Sequence, residues 1–481
     1  MGGSPETVRM NRVVLMRYPL LITLFLFFGT FFLSGPASAQ TGDFQGSVSS
    51  GTPLNQPLPL SLDDALQRGL KYNLGSIDAQ QSQRQAQGGS VAALSQLLPN
   101  LSGGLRESVQ QIDLASYGFK FSVPPGSGFS FPNIVGPFNY FDLRGALTQR
   151  LADVQAIRTY QSSRESERAA DLAAADAREI VVYVVTAGYL QVLAEAARVD
   201  SANVQVTSAQ AIYQQAADRF HSGLSAKIDM TRSQVELQTQ QQRLTGEQAD
   251  YAKDKIALAR LIGLSPGQEI ILTDTLPYAP LENLTLDQAI VLASQNRSDL
   301  KAAEARFHAA ELSRKAAVAE RYPTLDIAAD YGVIGINPSN SHGTFSVTGE
   351  VKFPIWEGNR VHGDILRADA SLEQRRADYE NLRARVEADV RNAFLDLNAA
   401  ADQVRVAQSR RELARDELAQ ARDRFSSGVA DTIEVVQAQE VVSGAEQDYI
   451  ASLNAHNLAK AGVARATGQA EKIMRTLLRS Q

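Results

Sequence analysis

Residues 60–66 read Leu-Ser-Leu-Asp-Asp-Ala-Leu, and residues 284–290 repeat this pattern as Leu-Thr-Leu-Asp-Gln-Ala-Ile, 224 positions later. The same offset carries Pro99-Asn100-Leu101 onto Pro323-Thr324-Leu325. Matches that keep one offset over a long distance are typical of an internal duplication. We therefore expect the chain to build one structural unit twice.

A second set of matches fixes the extent of the two copies. Arg219-Phe220-His221-Ser222-Gly223-Leu224 recurs as Arg424-Phe425-Ser426-Ser427-Gly428-Val429, now with an offset of 205 positions. The smaller offset means that the second copy has lost about nineteen residues between the two sets of matches. We place the first copy at residues 60–283, the second at 284–470, and a C-terminal tail at 471–481.

The N-terminal segment has the pattern of an export signal. Three arginines precede an apolar run from Leu20 to Leu33, and Ala37-Ser38-Ala39 offers a cleavage site of small residues. This pattern predicts a secretory signal peptide over residues 1–39. A retained membrane anchor is the alternative, but about fourteen apolar residues fall short of the ~20 that a spanning helix needs.

The composition narrows the possible functions. Cysteine is absent, which excludes disulfides, thiolate metal sites and a lipidated N-terminal cysteine together. The formal net charge is −6 with both signs interspersed, which argues against nucleic acid as a partner. Residues 40–59 are rich in Gly, Ser, Pro and Gln and are predicted to form a flexible leader.

A heptad pattern predicts two very long helices. In the second copy, apolar and small residues recur in steps of four and three at Val386, Val390, Ala393, Leu397, Ala400, Val404, Ala407, Ala414, Leu418, Ala421 and Phe425. The first copy has the same pattern 205 positions earlier. A heptad kept over about six repeats indicates coiled-coil packing. We expect helices at about 155–221 and 360–426, each about 100 Å long at ~1.5 Å per residue.

Shorter helices and strands fill the rest of each copy. Helices are predicted near 62–97, 226–263, 285–321 and 431–467, so that long helical hairpins span about 155–263 and 360–467. Before each long helix, apolar and polar residues alternate with period two, as at Leu325, Ile327, Ala329, Tyr331 and Val333. This alternation predicts two strands per copy, at about 101–151 and 325–353, each with an apolar and a polar face.

Two interpretations of these four strands are open. They could cover a soluble core, since alternation over about nine residues is a weak signal by itself. They could instead cross a membrane, because a bilayer strand has ~9–11 residues and the chain carries an export signal. Four strands cannot close a barrel and lipid does not tolerate open sheet edges, so the second interpretation requires several chains.

Two helix-turn-helix tips make the chain recognisable. They read Arg219-Phe220-x-x-Gly223-Leu224-Ser225 with Asp229, and Arg424-Phe425-x-x-Gly428-Val429-Ala430 with Glu434. Together with Pro354-Ile355-Trp356-Glu357-Gly358 at the second strand-to-helix junction, they resemble the TolC-type outer-membrane efflux family over about residues 60–470. The first junction, at residues 150–154, lacks the proline and the aromatic residue of that pattern.

The resemblance implies a mainly α fold with a β-barrel part. Three chains would each contribute four transmembrane strands to a 12-stranded barrel in the outer membrane, continued by a coiled-coil α-barrel through the periplasm. It also implies a passive exit duct of a tripartite efflux pump or a type I secretion system. The partners of this homotrimer would be a periplasmic adaptor protein, an inner-membrane transporter and outer-membrane lipid, without a cofactor.

The resemblance further assigns roles at the tips. Asp229 matches an acidic residue that tethers the first tip closed, Glu434 matches the first acidic position of a pore constriction, and the second constriction position falls on Gln437. The basic residue of the family's tether falls on Ala430. The expected adaptor-docking sites are the turns themselves, Gly223-Leu224-Ser225 and Gly428-Val429-Ala430.

Structural roles compete with these functional ones. Residues 431–434 have the pattern of a capping box, so Glu434 could serve only to stabilise a helix start. Gly223 and Gly428 are natural helix C-caps. The chain lacks HExxH, GxSxG, Walker A and GxGxxG patterns, and no metal-ligand spacing relates its histidines, His221, His308, His342, His362 and His456. The sequence therefore predicts neither an enzyme nor a metal site.

Two functions remain in competition. The leading hypothesis is a passive duct in the outer membrane, gated at the helical tips. The alternative is a secreted coiled-coil scaffold or adaptor of the cell envelope, with its β-hairpins in a soluble domain. The duct predicts a trimer that needs detergent, whereas the scaffold predicts a soluble or peripherally bound protein.

Overall fold

The computed structural model describes residues 43–49, 51, 56–118, 132–276, 278 and 284–477. The signal peptide predicted over residues 1–39 lies outside these residues. The first copy contains, in chain order, β1 (Leu58–Leu60), α1 (Leu62–Tyr72), α2 (Leu74–Ser95), β2 (Asn100–Asp113), β3 (Ile134–Ala152), α3 (Val154–His221), α4 (Lys227–Leu261) and β4 (Ile270–Leu272).

The second copy repeats this order of elements. It contains α5 (Leu286–Asn296), α6 (Ser298–Ala319), β5 (Thr324–Gly335), β6 (Ser341–Lys352), α7 (Arg360–Ser426) and α8 (Thr432–Ala466), followed by α9 (Ala470–Leu477). Short 3-10 turns lie at Asp43–Gln45, Leu114–Tyr117 and Pro338–Asn340. Two short helices, two strands, a long helix and a returning helix occur in each copy, which confirms the predicted internal duplication.

The repeated opening motif has a simple physical role, which is to start a helix. The Ser61 hydroxyl accepts a hydrogen bond from the Asp64 backbone N–H, and the Asp64 carboxylate returns to the Ser61 backbone. Thr285 and Gln288 form the same reciprocal box at the start of α5. A capping box satisfies two N–H groups that a helix start otherwise leaves without partners. The motif therefore fixes where both copies begin.

Two of the four predicted short helices, 62–97 and 285–321, are broken at equivalent positions. Asn73, between α1 and α2, donates from its side chain to the carbonyl oxygens of Phe44 (2.8 Å) and Leu261 (3.3 Å). Arg297, 224 positions later, binds the carboxylates of Asp299 (2.5 Å) and Asp389 (2.8 Å). These contacts with distant parts of the chain override the local helix preference, which is why the sequence predicted unbroken helices.

The two long helices organise the rest of the chain. α3 has 68 residues and α7 has 67, which agrees with the length that the heptads predict. Along its first half α3 packs against α2 and α6, and along its second half against α4 and α8. α7 packs against α6 and then α8. The helices therefore form one layer, in the order α2, α3, α6, α7 near the strands and α4, α3, α8, α7 towards the tips.

The main apolar core surrounds the middle of α3. Tyr189 is fully buried there, and its hydroxyl lies 2.9 Å from the Leu60 carbonyl oxygen and 2.7 Å from Oδ2 of Asp274. Burial, and secondarily the Asp274 carboxylate, raise the pKa of Tyr189, so its hydroxyl stays protonated. One 18-residue window of α3 is apolar enough to span a membrane, yet 56% of it is buried against neighbouring helices. That window is therefore the core of the helical layer.

The segments predicted as a flexible leader over 40–59 and a C-terminal tail over 471–481 pack onto the helices where the structure describes them. Phe44 packs against Gly75 so closely that a Cβ there would overlap its ring. Leu58–Leu60 pairs in parallel with Ile270–Leu272. Met474 of α9 is fully buried in the main core. Contacts with the helical layer hold both segments in place.

The four long strands form one antiparallel sheet in the order β2, β3, β5, β6. The register aligns Leu101 with Leu147, Leu147 with Ala329, and Ala329 with Val347 across the four strands. Side chains of odd-numbered residues therefore share one face of the sheet. A bulge between Gln110 and Ile112 interrupts β2.

Candidate functional site

Both long helices end in the same left-handed glycine turn. After α3, Gly223 has a φ of +73° and the Leu224 N–H donates to the Arg219 carbonyl oxygen over 2.8 Å. After α7, Gly428 has a φ of +75°, and Val429 makes the equivalent bond over 2.9 Å. A glycine in this conformation stops a helix without steric cost. The turns predicted for adaptor docking are therefore compact and similar in shape.

The turns present apolar side chains to solvent. Leu224 is 72% exposed and its equivalent Val429 is 71% exposed. Ser225 and Ala430, which follow them, are half-buried. When a second helical tip covers exposed apolar residues at the end of a hairpin, the removal of their surface from water is favourable. The turns could therefore take part in tip-to-tip packing.

The second tip contains the pore-constriction candidate Glu434. Asp431 caps α8 by accepting hydrogen bonds from the backbone N–H groups of Ile433 (3.0 Å) and Glu434 (3.3 Å). The Glu434 carboxylate pairs instead with Arg424, with Nε 2.9 Å from Oε1 and Nη2 3.4 Å from Oε2. Helix capping is thus the task of Asp431. The Glu434 side chain is partly exposed and held by a cation.

The first tip contains the equivalent acidic residue, Asp229. Its half-buried carboxylate lies 4.0 Å from the guanidinium of Arg232, one turn further along α4. The position equivalent to Arg232 in the second copy is Gln437, which is exposed. The structure therefore pairs each acidic candidate with an arginine of its own hairpin, and it leaves Gln437 on the surface of α8.

Sequence analysis missed the residue that joins the two tips. Arg219, at the end of α3, donates from Nη1 to the Phe425 carbonyl oxygen of α7 over 2.6 Å. Its guanidinium carbon lies 4.8 Å from the centre of the Phe425 ring, a cation–π geometry. We call these two contacts the Arg219 bridge. The signal for it in the sequence was the repeated Arg-Phe pair at both helix ends.

The two helical hairpins meet along a polar seam. On the α8 side, Gln439 donates to the Gln205 carbonyl oxygen (3.2 Å) and Asn454 donates to Gln191 (3.1 Å). Further pairs across the seam join Arg422 to Ser208, Arg243 to Ser443, and Gln447 to Glu247. The interior of the second hairpin is apolar, and Ile212 of α3 joins its cluster of Ala414, Leu418, Ala421, Phe425, Val435, Ala438, Val442 and Ala445. The contacts between the hairpins thus combine hydrogen bonds with an apolar contact through Ile212.

The sheet has two chemically opposite faces. Its odd-numbered face exposes large apolar side chains, including Leu101, Leu105, Tyr331, Phe345 and Val347. Its even-numbered face contains charged residues that pair across strands, with Arg144 bound to Asp142 and Asp330. An apolar outer face and a polar inner face are the pattern of strands in a membrane-spanning barrel.

The polar face continues into the helical layer through a cavity of about 650 Å³. Charged residues line it, among them Arg150, Asp153, Glu320 and Arg360. Arg360 binds Glu320 over 2.7 Å and thereby joins the start of α7 to the end of α6. A hydrophilic surface is therefore continuous from the sheet to the long helices. Within the described ranges, no group of three or more His, Cys, Asp or Glu residues could hold a metal ion.

The chain is similar in sequence to known proteins. Residues 289–469 match the family described as outer membrane efflux protein. The chain is 26% identical over 350 residues to the pyoverdine export outer membrane protein OpmQ of Pseudomonas putida, covering 71% of this chain and 70% of OpmQ. It is 24% identical over 368 residues to the toluene efflux pump outer membrane protein TtgF of Pseudomonas putida, covering 74% and 72% of the two chains.

Solved structures have the same fold. The outer membrane protein VceC of Vibrio cholerae superimposes with a TM-score of 0.70 at 17% identity, over 85% of this chain and 96% of VceC. The CmeC outer membrane channel of Campylobacter jejuni does so with a TM-score of 0.71 at 15% identity, over 91% and 95%. These matches confirm the predicted α-barrel and β-barrel architecture. The sequence matches to outer membrane efflux proteins confirm the predicted location, with the strands in the outer membrane and the helices extending into the periplasm. The chain thus resembles outer-membrane efflux proteins both in sequence and in fold.

Proposed function

We propose that three copies of this chain form a passive duct through which small molecules leave the cell, opened and closed at the helical tips. The observation that carries the proposal is the two-faced sheet with two unpaired edges. Its apolar face suits lipid, its charged face suits water, and both lie above helices long enough to cross a compartment. The duct itself needs no catalytic group, because an energised partner would drive transport.

The sheet edges support assembly of several copies. β2 and β6 are the edge strands, and each pairs on one side only among the described residues. Unpaired backbone groups in lipid cost several kcal/mol each, so the edges must meet the edges of other copies. Three copies give twelve strands, within the range of ~8 to 26 that such barrels have.

The helical layer has matching free edges. α4 forms one edge and exposes Ile228, Val235 and Ile256, which are spaced by multiples of seven residues. α7 forms the other edge and exposes Val406 and Leu413, also seven residues apart. Seven-residue spacing places side chains on one side of a coiled-coil helix. Packing of α7 against α4 of the next copy would cover both stripes and close the helices into a ring.

The tips support a gate and a docking site. Glu434 and Asp229 sit just past the turns, with Gln437 one turn further along α8, where a ring of three copies would narrow. Leu224 and Val429 expose apolar surface for the helical tips of a periplasmic adaptor, which would in turn join the duct to an inner-membrane transporter. These roles follow the family resemblance and the exposure of the turns.

The cargo proposed here is a small molecule. OpmQ is named for pyoverdine export and TtgF for toluene efflux, and both match over more than two thirds of their length. The polar lining of the sheet contains arginine and aspartate in pairs that neutralise each other. Such a lining keeps the path hydrated and does not select strongly for cargo of one sign of charge.

Planar-bilayer recording of the purified mature protein tests the duct. We expect discrete openings from detergent-solubilised trimers, with the oligomer verified by light scattering. A folded, reconstituted trimer that never opens would contradict the duct. A monomer that stays soluble without detergent would instead support the envelope scaffold.

A further inference from the structure

The two tips contain the same pair of charged residues but use them differently. Arg219 and Asp229 of the first copy are equivalent, at an offset of 205 positions, to Arg424 and Glu434 of the second. Arg424 binds Glu434 within its own tip through Nε and Nη2. The side chain of Arg219 instead contacts Phe425 of the second tip. A duplicated arginine thus has two different partners in one chain.

The contacts of Arg219 place it firmly on the second tip. Nη1 donates to the Phe425 carbonyl oxygen over 2.6 Å, and the guanidinium stacks over the Phe425 ring. Nη2 lies 3.7 Å from the position that a Cβ on Gly428 would occupy. Phe425 itself is only 5% exposed and belongs to the apolar interior of the second hairpin. The Arg219 bridge therefore joins the end of α3 to a fixed point of α7.

The bridge leaves one donor of Arg219 without a partner. Its Nε is buried and makes no hydrogen bond in the part of the chain that the structure describes. In Arg424 the same atom bonds to Glu434 over 2.9 Å. A buried donor without an acceptor costs free energy. The matching acceptor in the first tip, Asp229, has only the loose 4.0 Å contact with Arg232.

We propose that Arg219 is a two-position switch in the tip gate, bound to Phe425 when the tips are closed and to Asp229 when they open. The proposal rests on the proposed duct and specifies how its gate is held. When the hairpins part, the bridge breaks and Arg219 can adopt the arrangement that Arg424 already has with Glu434. The Nε then gains an acceptor, so one bond replaces another. Two arrangements of similar free energy make such an element bistable.

The surroundings permit the hairpins to part. Near the tips the seam contains hydrogen bonds such as Gln439 to Gln205, and water can replace these when the seam opens. Of the apolar cluster at the tips, only Ile212 belongs to the first hairpin, so the other members stay covered within the second hairpin.

The test is a double-mutant cycle read as the ratio of open to closed time in planar bilayers. Asp229→Asn replaces the charged open-state acceptor with a neutral amide and should lower this ratio about tenfold, because the hydrogen bond loses its charge assistance. In an Arg219→Ala background the same substitution should leave the ratio unchanged within about twofold, because the donor is gone. Should Arg219→Ala fail to assemble, Arg219→Gln provides a neutral background of similar length.

Coupling between the two positions distinguishes a switch from a structural role. If Asp229 merely stabilised the start of α4, Asp229→Asn would have the same effect with and without Arg219, and the switch would be refuted. The matched control is the exposed pair Arg405 and Asp402 of α7, joined over 2.8 Å. Its substitutions to Ala and Asn should leave the ratio unaffected. If the wild-type channel opens but the double-mutant cycle shows no coupling, the switch alone is overturned. If folded trimers never open, the duct and the switch are overturned together.

Discussion

The Arg424 guanidinium lies across the Glu434 carboxylate, with Nε 2.9 Å from Oε1 and Nη2 3.4 Å from Oε2. A ring of three glutamates at a pore constriction would therefore carry three arginines beside it. Each arginine cancels much of the negative field that its glutamate offers to a passing cation. The constriction should bind cations less well than a ring of unpaired carboxylates.

Substitution of Arg424 and substitution of Glu434 should shift the block of the channel current by cations in opposite directions. Arg424→Gln exposes the carboxylates and should lower the concentration of divalent cation that halves the current by about tenfold, since a unit charge at ~4 Å is worth about 1 kcal/mol or more. Glu434→Gln should raise that concentration. Single-channel current against cation concentration measures both. The exposed Glu440 of α8 provides the control, and equal half-block concentrations in all variants would leave Glu434 without a role in the pore.

The two faces of the sheet should respond differently to the same substitution. Val347 is on the exposed apolar face, while its neighbour Ser346 is on the polar face, directly opposite Asp330 of β5. Val347→Arg places a charge in lipid and should destabilise the inserted barrel by about 2–4 kcal/mol. Ser346→Arg should be tolerated. Urea unfolding in lipid vesicles gives both values, and an equal cost on the two faces would argue for strands in a soluble domain.

Two glycines in the first hairpin should respond oppositely to alanine. Gly223 has a φ of +73° with open space around the position of a Cβ, so the cost of Gly223→Ala is purely conformational, about 1 kcal/mol. Gly246 lies inside α4 and also has open space around it. Gly246→Ala should stabilise the helix by about 1 kcal/mol. Thermal unfolding of the detergent-solubilised trimer should show shifts of opposite sign, and shifts of one sign would contradict the turn geometry.

Stability should fall in mild acid because of one buried histidine. His456 of α8 is 1% exposed, stacks 5.1 Å from Tyr278, and its Nδ1 makes no hydrogen bond among the described residues. Burial, with a smaller effect of Lys460, lowers the pKa of His456 below its ordinary value of 6.5. The unfolded chain therefore takes up a proton at a higher pH than the folded one. The contribution of the neutral His456 to the free energy of unfolding is fully present above about pH 6.5 and is lost as the pH falls below that value.

Removing the imidazole should flatten this dependence. His456→Phe keeps an aromatic ring against Tyr278 and cannot be protonated, so its unfolding temperature should vary less between pH 7 and 5. His362→Phe, at an exposed position of α7, is the matched control and should retain the wild-type slope. An unchanged slope in His456→Phe would assign the acid sensitivity to other groups.

Much of the architecture was predictable because it repeats. The heptads placed α3 and α7 to within one residue, since a long coiled coil depends on local periodicity that every turn reinforces. The breaks at Asn73 and Arg297 were not predictable, because their stabilising partners lie far away in the sequence, at Leu261 and Asp389. The ordered segment around Phe44 was missed for the same reason.

The candidate site likewise contains some features that the local sequence predicts and others that it does not. The glycine turns and the positions of Asp229 and Glu434 follow from local sequence, and the structure describes them where the pattern placed them. The partners of those carboxylates and the Arg219 bridge depend on which helix ends lie together. No pattern within one hairpin contains that information.

The break shared by Asn73 and Arg297 also bears on how such chains diverge. One copy holds its kink with a neutral amide bound to backbone carbonyls, and the other with a buried cation bound to two carboxylates. Descendants of one ancestral segment have thus kept a backbone path while replacing the chemistry that secures it. Within this chain the same backbone path tolerates different residues at the break, and the fold as a whole is likewise shared with VceC at 17% identity.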